Sequence, residues 1–584
     1  MESTKLSNSA IARLLREVSA AYEIKGENQF KVRAYNTAAN SIEHATSELK
    51  DLWEEGRLDE IPGVGESIAS HLDEYFRTGK VKHFDDVKKN LPPGMFAFFG
   101  LEGIGPKTAF KLAKELKVKD KEELLGALAK GKVAKLPGFG KKSEDLIRQA
   151  LERRKVEEGR ILLPIAFSVA EKLIEEIKRL PGVTRADPLG SLRRMVSTVG
   201  DIDIGVATDN PKEVVSSFTK LPSVSRVLGA GEAKASVVLK TGRQVDIRVH
   251  NPKSYGALLQ YFTGSKSHNI HLRKIANSKG LSFSEYGVKK YKGGKIIGDY
   301  IPTENEEALY KLLDMQIVPP ELREDTGEIE AAQKRKIPYL VGVDDIQGEV
   351  HLHTTNSDGE ETAEVMVKEA ISLGREYVGI SDHAPSAKTR GMAGARQEIL
   401  KRKKEVGDLR KKYGSKIKIF FGAEVNVDSQ AKMALPDDLL KLYEYTIGSI
   451  HTAFNQPKDV ITKRILAILE NPYVNALGHP TGRLLGEREA YEVDWEKVFA
   501  TAQKEGKALE INSYPSRLDL PDGLVKIAKD KNIKFLISTD AHRLAHYQNL
   551  KFGVAVARRG WCSKEDIVNS LKPEEFAKVF KVRG

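Results

Sequence analysis

LGSLRRMVSTVGDIDIGV, residues 189–206, decides how the first half of this chain is built. Its last part, DIDIGV, alternates apolar and other residues with a period of two and reads as a strand. Side chains along a strand alternate faces, so Asp201 and Asp203 point the same way. Two neighbouring carboxylates repel, and the pair is stable only with cations between them. Asp246, in the strand-like QVDIRV, offers a third carboxylate from a neighbouring strand. Three carboxylates suit two Mg²⁺ (or Mn²⁺) ions, hard cations that favour oxygen and substrate phosphates. Such a pair of ions is the usual device for phosphoryl transfer. A lone D-x-D is more often a solvent-facing strand or turn. Upstream, Gly190 and Ser191 with Arg193 and Arg194 change that balance, because a glycine–serine turn cradles phosphate and arginine binds it in bidentate fashion.

Outward from this stretch the chain changes character on both sides. Toward the N-terminus, residues 1 to 155 read as helices broken by three similar turns, IPGVGESIA at 61, LEGIGPKTA at 101 and LPGFGKKSE at 136. The glycine pairs Gly63/Gly65, Gly103/Gly105 and Gly138/Gly140 permit tight turns and leave backbone N–H groups bare at a helix start, where an anion is favoured. One such turn is weak evidence, but a repeat is strong. They resemble helix-hairpin-helix motifs, which grip the DNA backbone and position a protein without reading a base.

Toward the C-terminus, the proline-flanked, charge-dense stretch 319–340 reads as a linker. After it, VHLHT, YVGISDH, IKIFFGAEV, EYTIGSIHT, VNALGHP, ALEINS and KFLISTDAH are short apolar strands separated by helical stretches. About seven serial β/α units predict a barrel-like parallel sheet. His351 and His353 share one face of the first strand. Asp358 follows closely, and His383, Glu424, His451, His479, Asp540 and His542 fall near the ends of later strands, where such barrels place their chemistry. Seven of the thirteen histidines lie after residue 350, and only His546 falls away from an expected strand end. For a single histidine a core position is the better reading, but scatter does not explain the set. Imidazole with carboxylate suits Zn²⁺, Mn²⁺ or Fe²⁺, and the absence of thiolates argues against a closed structural zinc site. Nine ligands imply two or three ions.

The bulk numbers agree. A chain of 584 residues suggests about four domains. Its net charge of +12 fits a nucleic-acid partner or a plain solubility charge. No apolar run spans a membrane, the N-terminus is unlike a signal peptide, and the lone Cys562 fits a reducing interior, so a cytoplasmic protein is expected. Nothing argues for an oligomer, so a monomer is expected.

Gly-Ser followed by G-D-I-D resembles the nucleotidyltransferase superfamily, and YFTGSKSHN at 261 narrows the resemblance to the beta-type family X DNA polymerases over roughly residues 5–318. That resemblance implies that Asp201, Asp203 and Asp246 are catalytic and hold Mg²⁺. Gly190, Ser191 and Arg194 would hold the triphosphate of a deoxynucleotide. Tyr261, Phe262 and Gly264 would meet its sugar, Asn269 its minor-groove edge, and Arg273 would lie beside the templating base. Lys266 stands where the beta-type enzyme carries an aspartate, and a cation there would hold the nucleotide more tightly. His71 stands at the lyase-lysine position and Ser67 at that of an auxiliary lysine. A neutral imidazole does not form the required iminium, so 5′-deoxyribose phosphate lyase activity is expected to be weak or absent. Lys31, Arg33, Lys80 and Lys82 remain candidates for a 5′-phosphate. The set H-x-H, D, H, E, H, H, D-x-H resembles the PHP (polymerase and histidinol phosphatase) family over residues 341–580 and implies 3′–5′ exonuclease or related phosphoesterase action. Arg390 is a weaker candidate near that substrate.

The expected fold is therefore multidomain. It has a helical region with a DNA-binding domain (1–90) and a fingers-type domain (91–158), then an α+β nucleotidyltransferase palm (159–260) and a thumb (261–318). The linker (319–340) leads to a distorted, about seven-stranded PHP barrel (341–584). Gapped or primed duplex DNA and deoxynucleoside triphosphates are the expected partners. A nuclease whose first half only grips DNA, a small-molecule phosphatase, and a non-enzymatic DNA-bridging protein are the competing readings.

Overall fold

The computed structural model describes residues 8–43, 49, 53, 58, 61, 63–98, 104–141, 143–144, 147, 160–292 and 295–583. Gly103, one of the turn glycines, lies outside them. The chain divides into two compact units, Met1–Gly159 and Arg160–Gly584.

The first unit is helical. Its helices α1 (Asn8–Lys25), α2 (Gln29–Glu43) and α3 (Glu66–Thr78) bury Ile11, Leu15, Val18, Tyr35, Ile42, Leu72 and their neighbours in one core. Gly63 has φ +85°, and a Cβ there would come within 2.7 Å of Thr37 Cγ2, so only glycine fits. Gly65 begins α3, and Gly105 begins α4 (Pro106–Leu116). The same first-turn hydrogen bond recurs at all three turns. Ala69 N donates to the Gly65 carbonyl, Ala109 N to that of Gly105 and Glu144 N to that of Gly140, each at 2.9 Å. The sequence repeat is thus a structural repeat.

The second unit begins with α5 (Leu163–Lys178) on a five-stranded sheet. Its strands are β1 (Arg185–Pro188), β2 (Ile202–Ala207), β3 (Val224–Ala230), β4 (Lys234–Leu239) and β5 (Gln244–His250), in the order β1-β2-β5-β4-β3. Only β2 and β5 run parallel, and Ile202, Ile204, Val206, Val245, Ile247 and Val249 point into the core beneath α5. Next come α6 (Tyr255–Thr263), α7 (Lys266–Ser278) and a three-stranded sheet of β6 (Leu281–Ser284), β7 (Gly287–Lys292) and β8 (Lys295–Ile301).

Residues 319–340 are not a free linker. Leu322, Ile329, Ala332, Ile337 and Leu340 bury into the core that also holds Leu272, Phe283 and Leu309. The charges that suggested a linker turn inward. Arg323, fully buried, pairs with Glu306 at 2.5 Å, and Glu328, also buried, meets His268 Nδ1 at 2.7 Å.

The rest is a parallel barrel of seven strands in sequential order, β9 (Gly348–Glu349), β10 (Tyr377–Ile380), β11 (Lys418–Asn426), β12 (Tyr445–Ser449), β13 (Ala476–Leu477), β14 (Ala508–Asn512) and β15 (Phe535–Ser538). A bridge between Leu352 and Ala541 brings the first strand's end to the last and nearly closes it. Tyr445 fills the interior and donates to the Val350 carbonyl at 2.7 Å, in space that Gly379 and Gly422 leave free of side chains. Two helices matter below, α8 (Ala387–Tyr413), kinked at Gly391, and α9 (Leu550–Arg559). Phe552 of α9 packs edge-on against Phe167 of α5 at 5.7 Å, so barrel and five-stranded sheet share one core. Among the described residues, no helix is long and apolar enough to cross a membrane.

Candidate metal centres

The parallel pairing of β2 with β5 sets Asp203 directly opposite Asp246. The strand begins at Ile202, so Asp201 is delivered by the last residue of the preceding loop rather than by the strand itself. The three carboxylates still crowd. Burial, then the charge of Asp201, pushes the Asp203 carboxyl up to about 7, against the pull of Arg248. Burial and Asp246 raise Asp201 as well. Carboxylates made this reluctant to ionise together fit a site for divalent cations. Arg248 was not legible as a site residue, although it lies two positions beyond Asp246. Its Nε stands 4.0 Å from Asp203 Oδ1, its guanidinium lies 4.1 Å from the Phe262 ring centroid, and Nε and Nη1 are buried without a hydrogen-bond partner among the described residues.

Part of the expected nucleotide set gathers here. Gly190 has φ +57°, and a Cβ on it would lie 3.8 Å from Asp203 Oδ2 and 4.0 Å from the Phe262 carbonyl. Ser191 follows on the same short helix, Gly190–Arg193. Tyr261 and Phe262 pack edge-on at 5.0 Å near the end of α6, and Asn269 Nδ2 donates to the Tyr261 carbonyl at 2.7 Å. Arg194 Nη1 donates to the Thr263 carbonyl at 2.5 Å beside Gly264, and its Nε to Glu324 at 3.0 Å. The same Glu324 oxygen accepts from Arg559 of α9 at 3.0 Å. Arg193 is tied to Thr263 Oγ1 and Glu306, both at 2.6 Å, and reads as architecture. Lys266 is exposed in the first turn of α7, and Arg273 lies two turns along.

At the C-terminal rim of the barrel all nine expected ligands converge. The first strand is shorter than VHLHT suggested, but Leu352 keeps the backbone extended through its bridge to Ala541, so His351 and His353 still share a face. Glu424 is the hub. Its Oε1 lies 2.9 Å from His479 Nε2 and 3.1 Å from His451 Nε2, and its Oε2 3.0 Å from His383 Nδ1 and 3.5 Å from His353 Nε2. Asp540 Oδ1 is 3.2 Å from His353 Nε2 and 3.7 Å from His351 Nε2. Asp358 Oδ2 reaches His542 Nε2 at 3.3 Å and His383 Nε2 at 3.4 Å. Three triads have ligand atoms mutually within 4.8 Å, namely His351/His353/Asp540, His353/Asp358/His383 and His383/Glu424/His451.

Chemistry of the donors supports bound ions. Among the described residues, His351 Nε2, His353 Nε2 and His479 Nδ1 are buried with no hydrogen-bond partner, which is costly unless something else is held there. Burial disfavours a charged His383, yet Asp358 and Glu424 outweigh it and raise its pKa to about 10, a measure of how much negative charge the basin concentrates.

Three supporting residues were missed. Glu510, fully buried on β14, accepts from or pairs with His351 Nδ1 (2.5 Å), the His479 backbone N (2.6 Å) and Ser538 Oγ (2.5 Å). A carboxylate behind a ligating imidazole fixes its tautomer and orientation. Its only sequence signal is a charge inside the apolar strand ALEIN. Glu349, pushed up to about 7 by burial, accepts from His351 N at 3.0 Å and Thr539 N at 2.9 Å. Arg517 brings its Nε within 3.7 Å of Asp540 Oδ2. Arg390 lies exposed on α8 beside the kink, and His546 accepts from the His542 backbone N at 3.2 Å.

In the first unit, His71 Nδ1 meets Tyr35 Oη at 3.0 Å and its ring stacks on His83 at 4.6 Å. Burial and His83 lower its pKa, which favours the neutral imidazole. Lys31, Arg33, Lys80 and Lys82 are all exposed, and Lys31 pairs with Glu27 at 3.2 Å.

Comparison with known proteins decides the family. The chain is 35% identical over 573 residues to the DNA polymerase/3′-5′ exonuclease PolX of Bacillus subtilis (strain 168), covering 97% of this chain and 98% of that one. This chain belongs to the family X DNA polymerases that carry a C-terminal PHP domain. Family models place a helix-hairpin-helix domain at 7–81, a SAM-like helix-hairpin-helix tandem at 97–153, a DNA polymerase beta thumb at 258–324 and a PHP domain at 349–514. Rat (Rattus norvegicus) DNA polymerase lambda is 24% identical over 349 residues, 54% of this chain and 56% of that one. A probable phosphatase of Thermoanaerobacter sp. (strain X514) is 30% identical over 212 residues, 33% of this chain and 78% of that one.

Proposed function

We propose that this family X chain fills short gaps in DNA and trims 3′ ends, with one centre for each reaction. The observation that carries the proposal is the presence, in one chain, of a crowded carboxylate trio on paired strands and a separate basin of nine nitrogen and oxygen ligands at a barrel rim. Residues 1–158 would grip the DNA backbone through the glycine turns, with Arg273 near the template.

At the first centre Asp201, Asp203 and Asp246 would hold two Mg²⁺ or Mn²⁺ ions. Bound there, such ions neutralise the crowded carboxylates and the charge on the triphosphate. The primer 3′-hydroxyl attacks the α-phosphate, and Asp246 takes its proton. Ser191 and Arg194 steady the departing pyrophosphate. Tyr261, Phe262 and Gly264 meet the sugar, Asn269 reads the minor-groove edge, and Lys266 draws the triphosphate in.

At the second centre the nine ligands would hold two or three Mn²⁺, Zn²⁺ or Fe²⁺ ions. Bound there, these lower the pKa of water and stabilise charge on the phosphate being cut. Glu510 keeps His351 in the ligating tautomer, and Arg517 brings a cation to the edge of the site for the phosphate.

One observation favours a second reading, a nuclease whose first half only grips DNA: Arg194 is engaged by Glu324 and must exchange that partner for a phosphate. The test is a 5′-labelled primer bordering a one-nucleotide gap, incubated with Mn²⁺ with and without deoxynucleoside triphosphates. Extension with nucleotides and shortening without them are expected. Shortening alone would leave the second reading, and extension alone would remove the exonuclease.

A further inference from the structure

The barrel rim carries a shelf that the proposed chemistry does not use. After β12 the chain passes the ligand His451 and runs through Thr452 to Gln456. Arg464, fully buried, pins this loop from below. Its Nη1 donates to the Ala453 carbonyl at 3.2 Å and to Gln456 Oε1 at 2.9 Å. Its Nη2 donates to the carbonyls of Val427 and Thr452 at 2.9 and 3.0 Å. A guanidinium is desolvated at high cost, and here four hydrogen bonds offset that cost, three of them to the Thr452–Gln456 loop, whose shape they fix.

Phe454 stands on that loop. The Arg488 guanidinium lies 3.7 Å from its ring centroid, and the Tyr491 ring lies 6.4 Å from the Phe454 ring and within 15° of parallel to it. Arg488 Nε donates to the Gly482 carbonyl at 2.9 Å, which holds the plane in place. A cleft of about 460 Å³ opens here, lined by Ala453, Phe454, Asn455, Gln456 and Arg488.

Two features connect the cleft to the ligand basin. Phe454 follows His451 by three residues, so the chain keeps the two within roughly 11 Å. Arg517 links the two places: its Nε is 3.7 Å from Asp540 Oδ2, and its charge acts on both His479 and Arg488.

We propose that the Phe454–Arg488 stack is a nucleobase platform, holding a base beside the scissile phosphate of a single-stranded 3′ end while that phosphate rests at the nine-ligand centre. A guanidinium stacked on an aromatic ring presents a flat, weakly hydrated cationic face, and nucleobases stack on such faces whatever their identity. A small phosphomonoester would need no such shelf. The inference rests on the nuclease reading of that centre.

The experiment compares two 5′-labelled single-stranded oligodeoxynucleotides with Mn²⁺, one ordinary and one ending in two abasic (tetrahydrofuran) nucleotides. The variants are Phe454→Ala and Arg488→Lys, the second keeping charge but losing the planar face. In wild type the abasic end should raise KM about tenfold, the worth of one stacked base. Phe454→Ala and Arg488→Lys should raise KM for the ordinary oligonucleotide to a similar degree with little change in kcat, so that the two substrates become alike. An equal loss on both substrates, or no loss on either, would overturn the platform. Bound Mn²⁺ serves as the folding control, and should Phe454→Ala lose it, Arg488→Lys decides. Wild type cutting neither oligonucleotide would instead bring down the nuclease reading beneath the inference, before any variant is compared.

Discussion

On the five-stranded sheet, Asp201, Asp203 and Asp246 crowd together with Arg248 as the cation nearest Asp203. At the barrel rim, Asp358, Glu424 and Asp540 are interleaved with six imidazoles and backed by Glu510. Both arrangements gather carboxylates at strand ends, but they settle the charge differently. The trio remains unbalanced, and burial together with the charge of Asp201 pushes Asp203 up to about 7. The basin disperses its charge among ligands, since each carboxylate is within 3.5 Å of at least one imidazole nitrogen. The first arrangement suits ions that arrive with a triphosphate and leave with pyrophosphate. The second suits ions that stay.

That contrast breaks most sharply by removing one residue from each side. His353→Ala takes away a side chain common to two of the ligand triads and should cut 3′ trimming at least about a thousandfold, ~4 kcal/mol of barrier, while gap filling stays within about twofold. Asp203→Ala should do the reverse, and single-turnover assays of both reactions on one DNA would measure it. If either variant lowered both activities equally, the centres would not be independent.

Glu510→Gln is the finer cut. It keeps the shape behind His351 but removes the charge, so trimming should fall about 10- to 100-fold with no change in extension. An unchanged trimming rate would show that His351 needs no orienting carboxylate.

The pH dependence of ion binding should separate the centres further. With its pKa near 7, Asp203 is increasingly protonated as pH falls below that value, and a proton competes with the cation. Mg²⁺ binding to the His353→Ala protein, followed by calorimetry, should therefore weaken by up to about tenfold per pH unit below 7 and level off above 8. A flat profile from pH 5 to 8 would mean that the trio does not bind the ion through Asp203.

The smallest effect concerns the DNA grip. Gly63→Ala forces a Cβ into a left-handed turn against Thr37, and should destabilise α3 by about 1–2 kcal/mol. Hydrogen exchange of the α3 amides would register this, together with a modest loss of DNA affinity. Unchanged protection would contradict the fit at Thr37.

Much of this was legible in the sequence for physical reasons that can be named. The D-x-D spacing pointed to Asp201 and Asp203 as a pair, although the strand proper begins only at Ile202 and Asp201 comes from the loop before it, and histidines are scarce enough that six of them near expected strand ends stand out. What escaped depends on contacts across long chain separations. Glu510 meets His351 from 159 residues away, and nothing local in ALEIN says so. Arg248 faces Asp203 only because β5 pairs with β2 in parallel. The stretch 319–340 read as a linker because charge usually means solvent, yet Arg323 and Glu328 found Glu306 and His268 inside the core. Composition cannot tell a solvated charge from a paired one.

The most direct test of the contrast is metal content. Wild type, Asp203→Ala and His353→Ala would be dialysed extensively against metal-free buffer, and the bound Mn, Zn and Fe counted by elemental analysis. The expected result is two or three retained ions per chain in wild type and in Asp203→Ala, and a loss of at least one in His353→Ala. Equal content in all three proteins, or a loss in Asp203→Ala instead, would contradict the view that the barrel basin keeps resident ions while the carboxylate trio does not.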